Sequence, residues 1–174
     1  TDMAAEYRQR AKQINQAVRV HCMGENRLVQ DGPDVDSYSC HSQVFAVLAD
    51  AVTEEEGKRM LEEVTGNPAY AQCSVSMSFY LFRALEKVGL YEKTKDMWNL
   101  WRDMLKNNMT TCVENNIDGR SDCHAWGSLI LYELPSVILG VRPAAPGYKK
   151  ISVTPVPGYL DWAKGDVITP RGIV

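Results

Sequence analysis

The stretch Met109 to Trp126, M-T-T-C-V-E-N-N-I-D-G-R-S-D-C-H-A-W, gathers three acids, an arginine, a histidine and an aromatic side chain into one turn-rich connection between two helical segments. Helices can hold the ends of such a loop while the loop itself carries polar groups that a core would not tolerate. Glu114 follows the pair Thr110-Thr111 and stands beside apolar Cys112 and Val113, a setting that withdraws a carboxylate partly from water. Asp118, Arg120 and Asp122 compete for solvent and for one another. These are the conditions under which a carboxylate acquires a tuned pKa and can act as an acid or a base. The bland reading is a solvated loop acid bonded to its own backbone. Arg120 has the donors to clamp Glu114 or Asp122 in a bidentate pair, a supporting role rather than a catalytic one. For His124 the bland reading is a helix-start histidine satisfied by the preceding loop, and for Trp126 it is burial against the next helix.

The 174 residues are 45% hydrophobic and 24% charged, enough for a real core and ordinary for a globular chain. A net charge of -3 creates no broad basic field, which argues against nucleic acid and anionic membrane and leaves small neutral ligands open. No apolar run approaches the ~20 residues that span a bilayer. Thr1 to Arg10 has neither the basic start nor the apolar stretch of a signal peptide, and without an initiator Met the chain reads as an internal piece of a longer one. Compartment is therefore left open. Five cysteines, an odd number without C-x-x-C spacing, argue against a disulfide framework or a zinc ribbon. The pairs His21-Cys22, Cys40-His41 and Cys123-His124 offer metal-ligand types, but neighbours on a helix point apart, so no metal site is expected. Asn108-Met109-Thr110 is a glycosylation sequon that matters only in a eukaryotic secretory setting.

The loop needs a scaffold, and hydrophobic spacing supplies one. Tyr7, Ala11, Ile14 and Ala17/Val18 predict a helix over Ala5 to Val20, and Val44, Val47, Leu48 and Ala51 predict another over Ser42 to Val52. Thr53 with Glu56 forms a capping box for a helix that Gly66-Asn67-Pro68 closes. Ser76 to Val88 and Tyr91 to Leu105 read as a helical hairpin, with Trp98, Trp101 and Leu105 on the apolar stripe. His124 to Leu139 is apolar almost all round and predicts a helix buried on several faces, bent at Pro135. After Gly140 prolines accumulate, and Lys150 to Thr154 alternates like a strand that Asp161 to Ile168 can partner across Pro157-Gly158. Paired helices without sharp self-similarity favour a barrel over a solenoid.

An ordered series of motifs then carries a resemblance. T-T-C-V-E-N at 110 to 115, R-S-D-C-H-A-W at 120 to 126, L-P-S-V-I-L-G-V-R-P at 134 to 143, P-G-Y-K-K-I at 146 to 151 and P-x-P-G-Y-L-D-W-A-K-G-D-V-x-T-P-R-G at 155 to 172 resemble the C-terminal part of bacterial α-L-rhamnosidases of glycoside hydrolase family 78. Ser42-Gln43 with Val44 to Leu48, and Phe79 to Gly89 with Trp98 to Leu105, also resemble that family. The resemblance implies a mainly α chain. Residues 1 to 146 would be the last helices of an (α/α)6 barrel, and 147 to 174 a short β hairpin that begins a β-sandwich.

The family inverts configuration at the cleaved bond, with an acid protonating the leaving oxygen and a carboxylate activating water, the two standing roughly 6.5 to 9.5 Å apart. By resemblance Glu114 is the general base, His124 binds the sugar, Trp126 can stack on its apolar face, and Arg120 and Asp122 support the site. The family's general acid lies in an aspartate, arginine and glutamate cluster that has no counterpart here, so the chain alone is expected to be inactive or nearly so. The partner implied is a rhamnose-containing glycoside or polysaccharide, with no metal or organic cofactor. Self-association is expected of a truncated barrel with uncovered apolar faces. Two other readings stay open: a non-catalytic helical binding or scaffold module, and an (α/α)6 enzyme with another sugar preference.

Overall fold

The computed structural model describes residues 2–115, 117 and 121–174, so Arg120 and Asp118 lie outside the described residues. The chain divides into two compact units, one of Thr1–Cys73 with Tyr80–Leu90 and the other of Ser74–Phe79 with Tyr91–Val174. It is mainly helical, with two short antiparallel hairpins near its end.

The first unit contains α1 (Asp2–His21), α2 (Cys40–Leu48), α3 (Glu54–Val64) and most of α4 (Ser78–Lys87). Ser39 caps α2 by accepting from the Ser42 amide, and α3 begins with the expected capping box between Thr53 and Glu56. The core is built from the periodic positions, with Val44, Met60, Leu61, Phe82 and Leu85 all fully buried. α2 and α3 meet at Gly57, where a Cβ would stand 2.6 Å from Val47 Cγ2, so only glycine admits this approach.

One buried polar side chain organises the connection between α1 and α2. Gln43 Nε2 donates to the carbonyls of Val29 (2.7 Å) and Ser39 (3.1 Å), and its Oε1 accepts from the Val29 amide at 2.8 Å. Val29 has no water to turn to, because it is buried too. Gln43→Leu keeps the volume but strands a buried amide and a buried carbonyl. The expected loss is about 2–4 kcal/mol, measured as a lower denaturation midpoint at unchanged slope.

α1 confirms the helical spacing but not a core role: none of its residues is buried, and Met3, Tyr7, Ile14 and Val20 are exposed. Its C-terminal half is tied down by polar contacts. Asn15 Nδ2 donates to Ala49 O at 2.6 Å, and Arg19 donates to Ala51 O at 3.0 Å and to both Glu56 oxygens at 2.9 Å. The Arg19 guanidinium, aided by the Thr53 amide, holds the Glu56 carboxyl down from 4.5 to about 2. A depressed carboxyl contributes stability above its unfolded pKa and loses it as pH falls through the folded value. Stability should therefore decline between about pH 4.5 and 2, and the slope in that window should flatten in Glu56→Gln. Denaturation midpoints across the range measure it; the contribution is small because the pair is partly solvated.

In the second unit the segment expected as one helix over Tyr91 to Leu105 is broken into a 3-10 turn, Tyr91–Thr94, and α5 (Asn99–Lys106). Buried Thr94 donates to the Tyr91 carbonyl at 2.8 Å and accepts from Trp98 Nε1 at 3.2 Å. Trp98 and Trp101 are buried as their spacing predicts, whereas Leu105 on the same stripe is 73% exposed. The Tyr91 hydroxyl donates to buried Glu133 at 2.7 Å.

The helix expected over His124 to Leu139 is three pieces: a 3-10 segment Ala125–Leu129, a single α turn α6 (Ile130–Glu133) and a π turn Leu134–Ile138. Pro135 has no N–H to donate back along the helix, and the widened turn closes instead through Leu139 N to Leu134 O at 3.0 Å. Nor is it buried on several faces, since Trp126, Leu131 and Leu134 are exposed.

The strand pairing also differs from expectation. β2 (Ile151–Val153) pairs with the upstream β1 (Val141–Pro143), in the register Val141 with Val153 and Pro143 with Ile151, and not with 161–168. Pro155 and Pro157 remove donors from the downstream side, while the turn at Pro146-Gly147 folds the upstream strand back. β3 (Ile168–Thr169) instead pairs with β4 (Gly172–Ile173).

Candidate functional site

The loop that opens the sequence argument is closed at its base by three hydrogen bonds. The His124 amide donates to Cys112 O at 2.8 Å, the Glu114 amide donates to Ser121 O at 3.0 Å, and the Thr111 hydroxyl donates to Asp122 O. The two ends of the loop therefore run side by side, which brings Glu114 and His124 onto one short ladder.

That ladder is fixed to the helical frame by a lock of three residues. Val113 is fully buried. Gly127 lies so close beneath it that a Cβ would stand 2.4 Å from the Val113 carbonyl oxygen and 3.0 Å from Cys112 Cβ. Trp101 Nε1 then donates to Gly127 O at 2.8 Å, tying the same point to α5. A glycine inside an apolar helical run signals such a close approach, but which backbone approaches is not written in the local sequence.

Beside the ladder is a cavity of about 540 Å³, in the range of small-ligand sites. Its walls are mostly apolar, from Trp101, Met104 and Leu131, with His124, Thr110 and Thr111 supplying polar groups. This mixture suits a ring that shows C–H patches on its faces and hydroxyls at its edge. His124 stands at the start of the 3-10 segment, its amide bonded into the preceding loop, and its side chain makes no cap bond to that segment.

Glu114 is half-buried and is not among the residues lining that cavity. Asp122 is exposed, with its backbone carbonyl used by Thr111. Trp126 is 65% exposed and so is not packed against the next helix; its ring meets His124 edge-on, with centroids 6.3 Å apart. Sequence reasoning passed over Gly127, Thr110 and Thr111 as wall or anchor. A larger groove of about 990 Å³ in the same unit, walled in part by Tyr132, Tyr148 and Trp162, is lined by residues of the later motifs and by none of Glu114, Asp122, His124 or Trp126. Among the described residues no three metal-ligand types cluster, and no helix is long and apolar enough to cross a membrane.

Residues 140–174 match the family described as the bacterial α-L-rhamnosidase C-terminal domain. The GH78 family rhamnosidase of Bacillus sp. GL1 superposes with a TM-score of 0.81 at 30% identity, covering 98% of this chain and 20% of its own. The rhamnosidase from Klebsiella oxytoca with rhamnose bound shares the fold, with a TM-score of 0.56 at 23% identity over 76% of this chain and 29% of its own. No curated protein matches. The chain thus spans less than a third of either relative's length. Fold and sequence together put it in the class of glycoside-hydrolase-like chains. Within that class its kinship is with the bacterial α-L-rhamnosidases of glycoside hydrolase family 78, as the motif series implies.

The lock makes a specific demand on one side chain. Gly127→Ala should push the Cys112–Val113 backbone away and cost about 1–3 kcal/mol by overpacking. Chemical denaturation measures the loss, and a red shift of tryptophan emission in the folded state reports the loosened Trp101.

Proposed function

We propose that this chain is part of an inverting glycoside hydrolase that removes terminal α-L-rhamnose, with Glu114 as the general base and His124 hydrogen-bonding the sugar. The reading rests on one observation: the loop ladder holds Glu114 and His124 on a common base while His124 lines a mostly apolar cavity. A general base needs a carboxylate that is fixed yet reachable by water. In support, Glu114 is half-buried and its amide bond to Ser121 holds the backbone that carries the carboxylate. Trp126, exposed and edge-on to His124, offers a face on which a sugar ring can stack. Asp122 is assigned a supporting role in the site, as is Arg120, which lies outside the described residues.

The general acid then comes from elsewhere in the longer polypeptide, on the opposite side of the sugar. In the same reading the helices belong to an (α/α)6 barrel and the tail opens a β-sandwich. The division at 146 falls between the two paired strands β1 and β2.

Glu114→Gln, placed in the longer enzyme that carries this segment, should lower kcat on an aryl α-L-rhamnoside by about 10²–10⁴-fold with an unchanged melting temperature. Undiminished turnover refutes the base assignment. Faster cleavage of another aryl glycoside by the unaltered enzyme refutes the rhamnose preference.

A further inference from the structure

The first unit contains two cysteines that the proposed hydrolysis does not use. Cys40 is the first residue of α2 and fully buried, while Cys73 lies on the segment after α3 and is partly accessible. The backbone brings them together. Ser39 and Ala71 form a parallel bridge, and the Cys40 amide donates to Ala71 O at 2.9 Å. The two thiols lie close enough to act on one another, and the buried Thr65 hydroxyl, with no hydrogen-bond partner among the described residues, stands beside Cys40.

We propose that Cys40 and Cys73 are a redox-convertible pair, closing to a disulfide by exchange with a small-molecule disulfide and reopening with excess thiol. The chemistry divides between them by environment. The S–H of Cys73 holds the Cys40 thiol below its ordinary value, with Thr65 adding to that effect, and the position at a helix N-terminus favours the thiolate further. Cys73 is pushed up, by the neighbouring Cys40 thiol and by burial.

Exchange begins at the accessible sulfur. Cys73, giving up its proton, attacks one sulfur of the reagent and expels one small thiolate, leaving a mixed disulfide. The Cys40 thiolate then attacks the Cys73 sulfur and expels the second. Two protein thiols are oxidised, one small disulfide is reduced to two thiols, and the two protein protons end on the departing thiolates. Of the other cysteines, Cys22 is buried, Cys112 partly accessible and Cys123 exposed.

The test treats the intact chain with oxidised glutathione, followed by alkylation, peptide mapping and intact mass. The expected product has Cys40 and Cys73 peptides joined and a mass lower by two hydrogens at that pair, reversed by dithiothreitol. Exposed Cys123 should carry a glutathione adduct, which proves the reagent active. Closing the loop from 40 to 73 should also raise the melting temperature by roughly 5–10 °C, an increase absent in Cys73→Ser. The proposal is overturned if Cys123 is modified while Cys40 and Cys73 stay alkylatable, or if Cys73 stops at a stable glutathione adduct. Neither result bears on Glu114 or on rhamnoside cleavage.

Discussion

The contact on which the candidate site depends is the absence of a side chain at Gly127. With no Cβ there, the Val113 carbonyl can lie almost on the helical backbone, and the fully buried Val113 side chain anchors the strand of loop that carries Glu114. Trp101 completes the contact by donating to the Gly127 carbonyl, so an aromatic chosen for its bulk also supplies a directional bond. A loop of acids and amides has little reason to keep one conformation by itself. Here its base is closed by backbone bonds and its foot is held by packing.

The rest of the molecule uses buried polar groups in the same manner. Gln43 substitutes for a strand partner of Val29 and joins a loop to α2, and Glu133 receives the Tyr91 hydroxyl inside the second unit. Each such group would be costly if left unpaired, so each permits few alternative arrangements. α1 lacks this internal fixing. Its apolar side chains face outward, and polar bonds from Asn15 and Arg19 secure one end only.

In the proposed function the second unit contributes one side of a sugar site. Its cavity has apolar walls with a few hydroxyl and imidazole groups. The GH78 rhamnosidase of Bacillus sp. GL1 provides the same backbone path for nearly the whole chain while extending far beyond it.

The sequence by itself determined the helices whose signals are local. The Thr53-Glu56 capping box, the stop at Gly66-Asn67-Pro68, the burial of Trp98 and Trp101 and the disturbance at Pro135 all follow from a few neighbouring residues. Its motif order was also enough to recognise the family. Only the tertiary structure decided which strand meets Ile151–Val153, which faces of α1 and of 125–139 remain uncovered, and that Gly127 touches Val113. Those outcomes depend on residues distant in the chain arriving at one point. Periodicity records that a face is apolar, but not which partner, if any, comes to cover it.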